Sequence, residues 1–176
     1  MQVKLANVRL AFPQLFEPKT VNGQGKPAYS ATFIVDGDHP QLKEIEKAIE
    51  AVASEKWGTK AKTVLTQLKT SDKTALHNGD TKANYVGFPG NYFISARAQG
   101  RPAVIDRDKT PLVAADNKPY AGCYVNASVD IWAMDNQYGK RVCASLRGVQ
   151  FVKDGEAFSG SSPVGDDEFE VVEEVA

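Results

Sequence analysis

Residues 3–12, Val-Lys-Leu-Ala-Asn-Val-Arg-Leu-Ala-Phe, interleave apolar and polar positions as a pleated strand does. Phe12-Pro13 is expected to close that strand, because proline lacks an amide proton and restricts the residue before it. After a Gly- and Pro-rich loop, Tyr29, Ala31, Phe33 and Val35 alternate with Ala28, Ser30, Thr32 and Ile34, which predicts a second strand buried on its odd face. The period then changes. Leu42, Ile45, Ile49, Val52 and Ala53 recur at three- and four-residue spacing, behind Asp38 as N-cap and Pro40 in the first turn. An amphipathic helix is expected to run to Trp57 and stop at Gly58. Ala61, Val64, Leu65 and Leu68 mark a shorter helix whose apolar face packs on the same sheet.

Regular patterning disappears between Thr70 and Asn91, so this long segment is read as a loop with a task, carrying Lys73, Lys82, Tyr85 and Phe88. Tyr92 to Ala98 follows as a strand, Ala103 to Asp106 as a weaker one, and 122–134 with 141–152 as a hairpin. On the first hairpin strand Cys123, Val125, Ala127, Val129, Ile131 and Ala133 form a core face, and Tyr124, Asn126, Ser128, Asp130 and Trp132 form a wet one. On the second, Val142, Ala144, Leu146 and Val152 point to the core and Arg141, Cys143, Ser145 and Arg147 to the open side. A turn centred on Gln137 sets Trp132 opposite Cys143 and Ser128 opposite Arg147. The strand at 92–98 repeats the design, with Phe93, Ser95 and Arg97 outward and Arg101 just beyond. The sum is mainly β with inserted helices, a small five-stranded antiparallel barrel without the strand–helix alternation of a parallel sheet.

The chain has 176 residues, 42% hydrophobic, which is material for one core. Its charge of −1 hides an asymmetry: Asp166, Asp167, Glu168, Glu170, Glu173 and Glu174 lie in the last 11 residues with no base. Residues 1–165 hold 21 bases against 16 acids, a balance of +5. The expected division is a binding domain over 1–158, then a flexible linker and acidic tail over 159–176. No run approaches the roughly 18 apolar residues of a membrane span, and the amino-terminal segment does not read as a signal peptide, so a cytoplasmic location is expected. Cys123, Cys143, His39 and His77 lack metal-ligand spacing, the hairpin register keeps the thiols apart, and no cofactor is expected.

An open sheet face carrying aromatic rings among arginines has the chemistry that single-stranded DNA requires, since every base offers a π-face and every phosphate a charge. The expected contacts are Phe93, Tyr124 and Trp132 with Arg97, Arg101, Arg141 and Arg147, extended by the loop residues Lys73, Lys82, Tyr85 and Phe88. No nucleophile, zinc-protease or phosphate-loop motif competes, so the chain is read as a non-enzyme. The alternatives are a metal-dependent nuclease or nucleotide-processing enzyme resting on Asp106, Asp108 and Asp130, and a virion structural protein. In the tail, Phe169, Val171, Val172 and Val175 alternate with the acids, which suits both competition for a basic face and docking to a partner protein.

The stretches VRLAFPQLFEPK, GKPAYSATFIV, DGDHPQLKEIEKAI and GFPGNYFISARA, with the terminal hairpin and acidic end, resemble the tailed-phage single-stranded DNA-binding proteins once grouped as a family of unknown function. The resemblance implies an OB-fold with an inserted helical element, acting on exposed single strands in phage DNA replication or recombination. It also implies replication or recombination proteins as partners of the tail, although the chain ends Glu-Glu-Val-Ala without the Pro-Phe tip of bacterial single-strand binders. Self-association is left open.

Overall fold

The computed structural model describes residues 1–158 apart from 22, 23 and 83. Seven strands form one sheet: β1 (Gln2–Val21), β2 (Gln24–Val35), β3 (Leu76–Asn78), β4 (Tyr92–Ala98), β5 (Ala103–Ile105), β6 (Tyr124–Asn136) and β7 (Gly139–Lys153). Five of them close a barrel in the order β4-β2-β1-β6-β7 and back to β4, the OB-type architecture expected. The barrel pairs are antiparallel except the closing one, where Arg97 of β4 meets Ser145 of β7 in parallel. Below that single pairing the seam is filled by the segment after the helices, whose Lys73 carbonyl accepts the Val142 N–H at 3.0 Å before Leu76 pairs with Ile94.

Helices α1 (Leu42–Trp57) and α2 (Ala61–Thr70) sit between β2 and β3 and add their apolar stripes to the barrel interior, making one continuous core. Gly58 at φ 57° ends α1 as expected. The helix start differs from the expectation. α1 begins at Leu42, and Asp38 lies in the preceding turn. Gln41, which flanks the helix without capping it, is spent on docking: its carboxamide accepts the Ala6 N–H at 2.6 Å and donates to the Lys4 carbonyl at 3.0 Å.

Three irregularities correct the strand reading. β1 does not stop at Pro13; it runs to Val21 and forms with β2 an arm beyond the barrel. Proline is tolerated there because the ladder shifts register between Ala11 and Gln14, with Phe12 at φ 47°. A second shift around Asn7, at φ 54°, moves the buried set from Val3 and Leu5 to Val8 and Leu10. The third lies in β7, where Ser128 pairs with Gly148 and Val129 with Leu146, leaving Arg147 as the extra residue of a bulge. Beyond it the parity inverts, so Val149 and Phe151 are buried and Val152 is not.

The described residues of the segment 70–91 are folded. They contain β3 and a 3-10 turn, Gly79–Lys82, and lay Phe88 on the outer surface of the sheet. There Phe88, Phe93, Ile34, Ala11, Ala121 and Phe158 make a second, smaller core. Gly79 permits the close approach, since a Cβ there would collide with the Phe88 carbonyl. Phe158 seals this core from the carboxyl end, with the Arg9 guanidinium 4.1 Å from its ring centroid and its N–H donating to the Ala121 carbonyl.

Candidate nucleic-acid interface

The second core covers only one end of the outer barrel face. Past it, β4 continues outward with Ser95 and Arg97, paired across to Thr32 and Ser30 of β2 and, at the seam, to Ser145 of β7. Ser95 and Arg97 are exposed. A cleft of about 650 Å³ opens here, lined by Lys26, Ala28, Arg97, Ala98, Gln99 and Ser145. Lys26 and Arg97 bring two cations to it from different strands.

Trp132 borders the same face from β6. Its register partner is Cys143, as expected, and its indole N–H donates to Ser145 Oγ at 2.9 Å. That bond fixes the ring edge toward the seam while 39% of the residue stays exposed. Arg141, exposed, sits two residues from Cys143 on the same strand, and Tyr138 stands at the hairpin tip with 84% exposure. The hairpin tip is braced from below, where the Trp57 indole N–H donates to Asp135 at 3.0 Å. On the opposite flank Tyr85, 45% exposed, stacks edge-on with Phe12 at 5.3 Å, and Lys82 lies 5.7 Å from the Tyr85 ring.

The arrangement is a strip of serines and cations between two exposed aromatic flanks, spread over a curved sheet face. Such a surface takes an extended polyanion with planar groups. In OB-folds generally, the face of the second and third barrel strands and the hairpin loops beside it hold oligonucleotides. A family model described as the single-stranded DNA-binding protein of Enterobacter phage Enc34 matches residues 1–176.

The chain belongs to this family.

Within and around the Enc34 family, protein p50 of Acyrthosiphon pisum secondary endosymbiont phage 1 is 47% identical over 173 residues, 97% of this chain and 93% of that protein. The single-stranded DNA-binding protein from bacteriophage Enc34 in complex with ssDNA has a similar structure, with a TM-score of 0.74 at 27% identity over 89% of this chain and 88% of that one. The gp2.5 protein, a single-stranded DNA-binding protein encoded by bacteriophage T7, shares the fold at a TM-score of 0.60 and 14% identity, over 97% of this chain and 98% of its own.

On the Enc34-family barrel the residues singled out from sequence fall into groups. Arg97, Arg141 and Trp132 come together on the open face, with Arg147 projecting from the bulge on the same strand and Lys73 bonded through its backbone beside Arg141. Lys82 and Tyr85 flank them. Phe88 and Phe93 are not on the open face as expected: at 1% and 4% exposure they are buried in the second core, Phe88 over Phe93, and Phe93 stacks on His77 at 4.9 Å. Tyr124 is half-buried eight residues from Trp132 on the same strand, about 26 Å away, between Lys153 and Arg9. Arg101 reaches the arm, 5.8 Å from the Phe16 ring. Asp166, Asp167, Glu168, Phe169, Glu170, Glu173 and Glu174 lie outside the described residues.

Lys26 and Tyr138 were missed from sequence. Extending the even face of β2 backward through Lys26, Ala28 and Ser30 would have found the first, had the strand not been started after Pro27. The carboxylates of the nuclease alternative are occupied otherwise: Asp106 pairs with Lys118 at 3.0 Å, Asp108 accepts from Thr110, and Asp130 binds the terminal ammonium group. The backbone N–H of Arg107 and the Lys118 ammonium hold Asp106 below the usual carboxylate range. Among the described residues no cluster of His, Cys, Asp and Glu is placed to hold a metal ion, and no helix is long and apolar enough to cross a membrane. Both cysteines are free; burial pushes the Cys123 thiol up to about 11 and also raises Cys143, with Arg141 opposing.

Proposed function

We propose that this protein binds and protects single-stranded DNA without sequence preference and without catalysis, during phage DNA replication or recombination in the host cytoplasm. The carrying observation is the open strip in which Arg97, Ser145 and Trp132 meet at the barrel seam, on a chain of the Enc34 family. Arg97, Arg141 and Lys26 take phosphates, Trp132 and Tyr85 stack bases, and Lys73, Lys82 and Arg147 add charge at the margins. The decisive experiment titrates fluorescent poly-dT and a duplex of equal length, with and without Mg²⁺. Preferential binding of the single strand without cleavage supports the reading, cleavage selects a nuclease, and binding to neither selects a structural role.

Cys143 offers a map of the footprint. It is partly exposed opposite Trp132, whereas Cys123 is buried. A maleimide at neutral pH is expected to label Cys143 and spare Cys123 in the folded protein, and saturating poly-dT is expected to slow that labelling by at least about tenfold. Labelling unaffected by DNA would move the interface away from β7.

The acidic tail is assigned a competing role. Six carboxylates tethered to a body of charge +5 act at an effective concentration of about millimolar order, so deleting residues 166–176 is expected to tighten DNA binding. The gain should shrink toward physiological salt, where the Debye length is about 8 Å. Phe169 is the anchor proposed for replication or recombination partners. A truncated chain that binds more weakly would make the tail part of the binding surface.

A further inference from the structure

Between Lys56 and Lys73 the chain exposes five lysines, Lys56, Lys60, Lys62, Lys69 and Lys73, and a single acid, Asp72, which is paired with His77 at 2.7 Å. Among the described residues none of these lysines is in an ion pair. Ala61, Val64, Leu65 and Leu68 spend one side of α2 on the core, and Lys62, Thr66 and Lys69 follow one another along a flank at four- and three-residue spacing. The other exposed positions of α2 are Thr63, Gln67 and Thr70, so the helix offers cations and hydroxyls with no ring and no aliphatic patch.

Both ends of this stretch are bonded to the β6–β7 hairpin. At one end Trp57 donates to Asp135 beside the hairpin tip; at the other the Lys73 carbonyl holds Val142, the neighbour of Arg141. The lysines therefore run alongside the hairpin that carries Trp132 and Arg141, and meet the open strip at Lys73. Unneutralised lysines with one acid, Asp72, among five of them repel one another and gain from a polyanion, and the absence of exposed apolar groups on α2 disfavours an amphipathic peptide as the ligand.

We infer that the α2 ridge is a second, stacking-free track for the phosphate backbone, which takes the DNA strand after it leaves the barrel strip and lengthens the footprint. This rests on the single-strand reading above and adds a prediction which that reading alone does not make: the ridge matters only for strands long enough to reach it.

The test uses the full chain and a triple variant, Lys60→Ala, Lys62→Ala and Lys69→Ala, in which alanine preserves helix propensity and thermal melting verifies the fold. Oligo-dT of about 6 and about 20 nucleotides, within and beyond the range one OB barrel covers, is titrated into dilute protein so that complexes stay one to one. The variant is expected to bind the short strand as the unmodified protein does, and the long strand roughly tenfold more weakly at low salt. Its salt slope on the long strand should flatten by about 2, from three lost contacts at about 0.7 each. Equal loss at both lengths, or no loss at the longer, would overturn the ridge. Tighter binding by the variant would do so too, assigning the lysines to the acidic tail. Failure of the unmodified protein to bind the short strand would instead overturn the barrel strip.

Discussion

Trp132→Ala is expected to weaken poly-dT binding by about 1–3 kcal/mol, roughly 5- to 150-fold, the value of one base–aromatic stack. The ring suits this role because it is exposed and yet fixed by its bond to Ser145, so little rotamer freedom is lost when a base covers it. Titration by DNA fluorescence measures the loss. Thermal melting of the same variant should fall by only about 2–4 °C, corresponding to roughly 1 kcal/mol of packing. Trp132→Phe should recover much of the affinity, since it keeps the π-face and loses only the hydrogen bond. A variant that melts early while its folded fraction binds normally would make Trp132 a packing residue.

Phe88→Ala is expected to act in the opposite way, on stability first. The ring is fully enclosed by Phe93, Ile34 and Phe158, and its removal should cost about 3–5 kcal/mol. For a domain of this size that is a fall of about 6–20 °C in melting temperature. Calorimetry decides it. A normal melting point with lost DNA affinity would show that Phe88 leaves the second core to meet a base. The two variants together separate the aromatic residues that hold the face from those that use it.

Element types were legible where local pattern and tertiary role agree. The odd positions of β6 from Val125 to Ile131 are buried because an antiparallel strand with one face on a core has no other solution. The stripes of α1 and α2 follow the same logic. The turn at Gln137 fixed the Trp132–Cys143 pairing, but the pairing of Ser128 failed because a bulge at Arg147 adds a residue that no alternation rule announces. In β1 the three-residue step from Leu5 to Val8 was a readable trace of such an irregularity. The site was partly legible for a different reason. Parity places Phe93, Tyr124 and Trp132 outward alike, yet outward means under Phe88 for the first, beside Lys153 for the second and open for the third. Which stretch of an outer face is roofed over depends on where a distant loop returns, and one strand's pattern carries no record of that.

The barrel has one weak joint. Four of its five junctions are antiparallel ladders, and the fifth is the lone Arg97–Ser145 pairing, with the residues around Lys73 wedged below it. A hoop fastened by a single clasp opens there first, and the proposed DNA strand lies across that clasp. An occupied protein would then be harder to unfasten than an empty one, with extra stability growing as RT ln(1 + [L]/Kd). The joint that is cheapest to break in isolation becomes the one a bound strand straps shut, so the barrel's closure and its cargo hold one another in place.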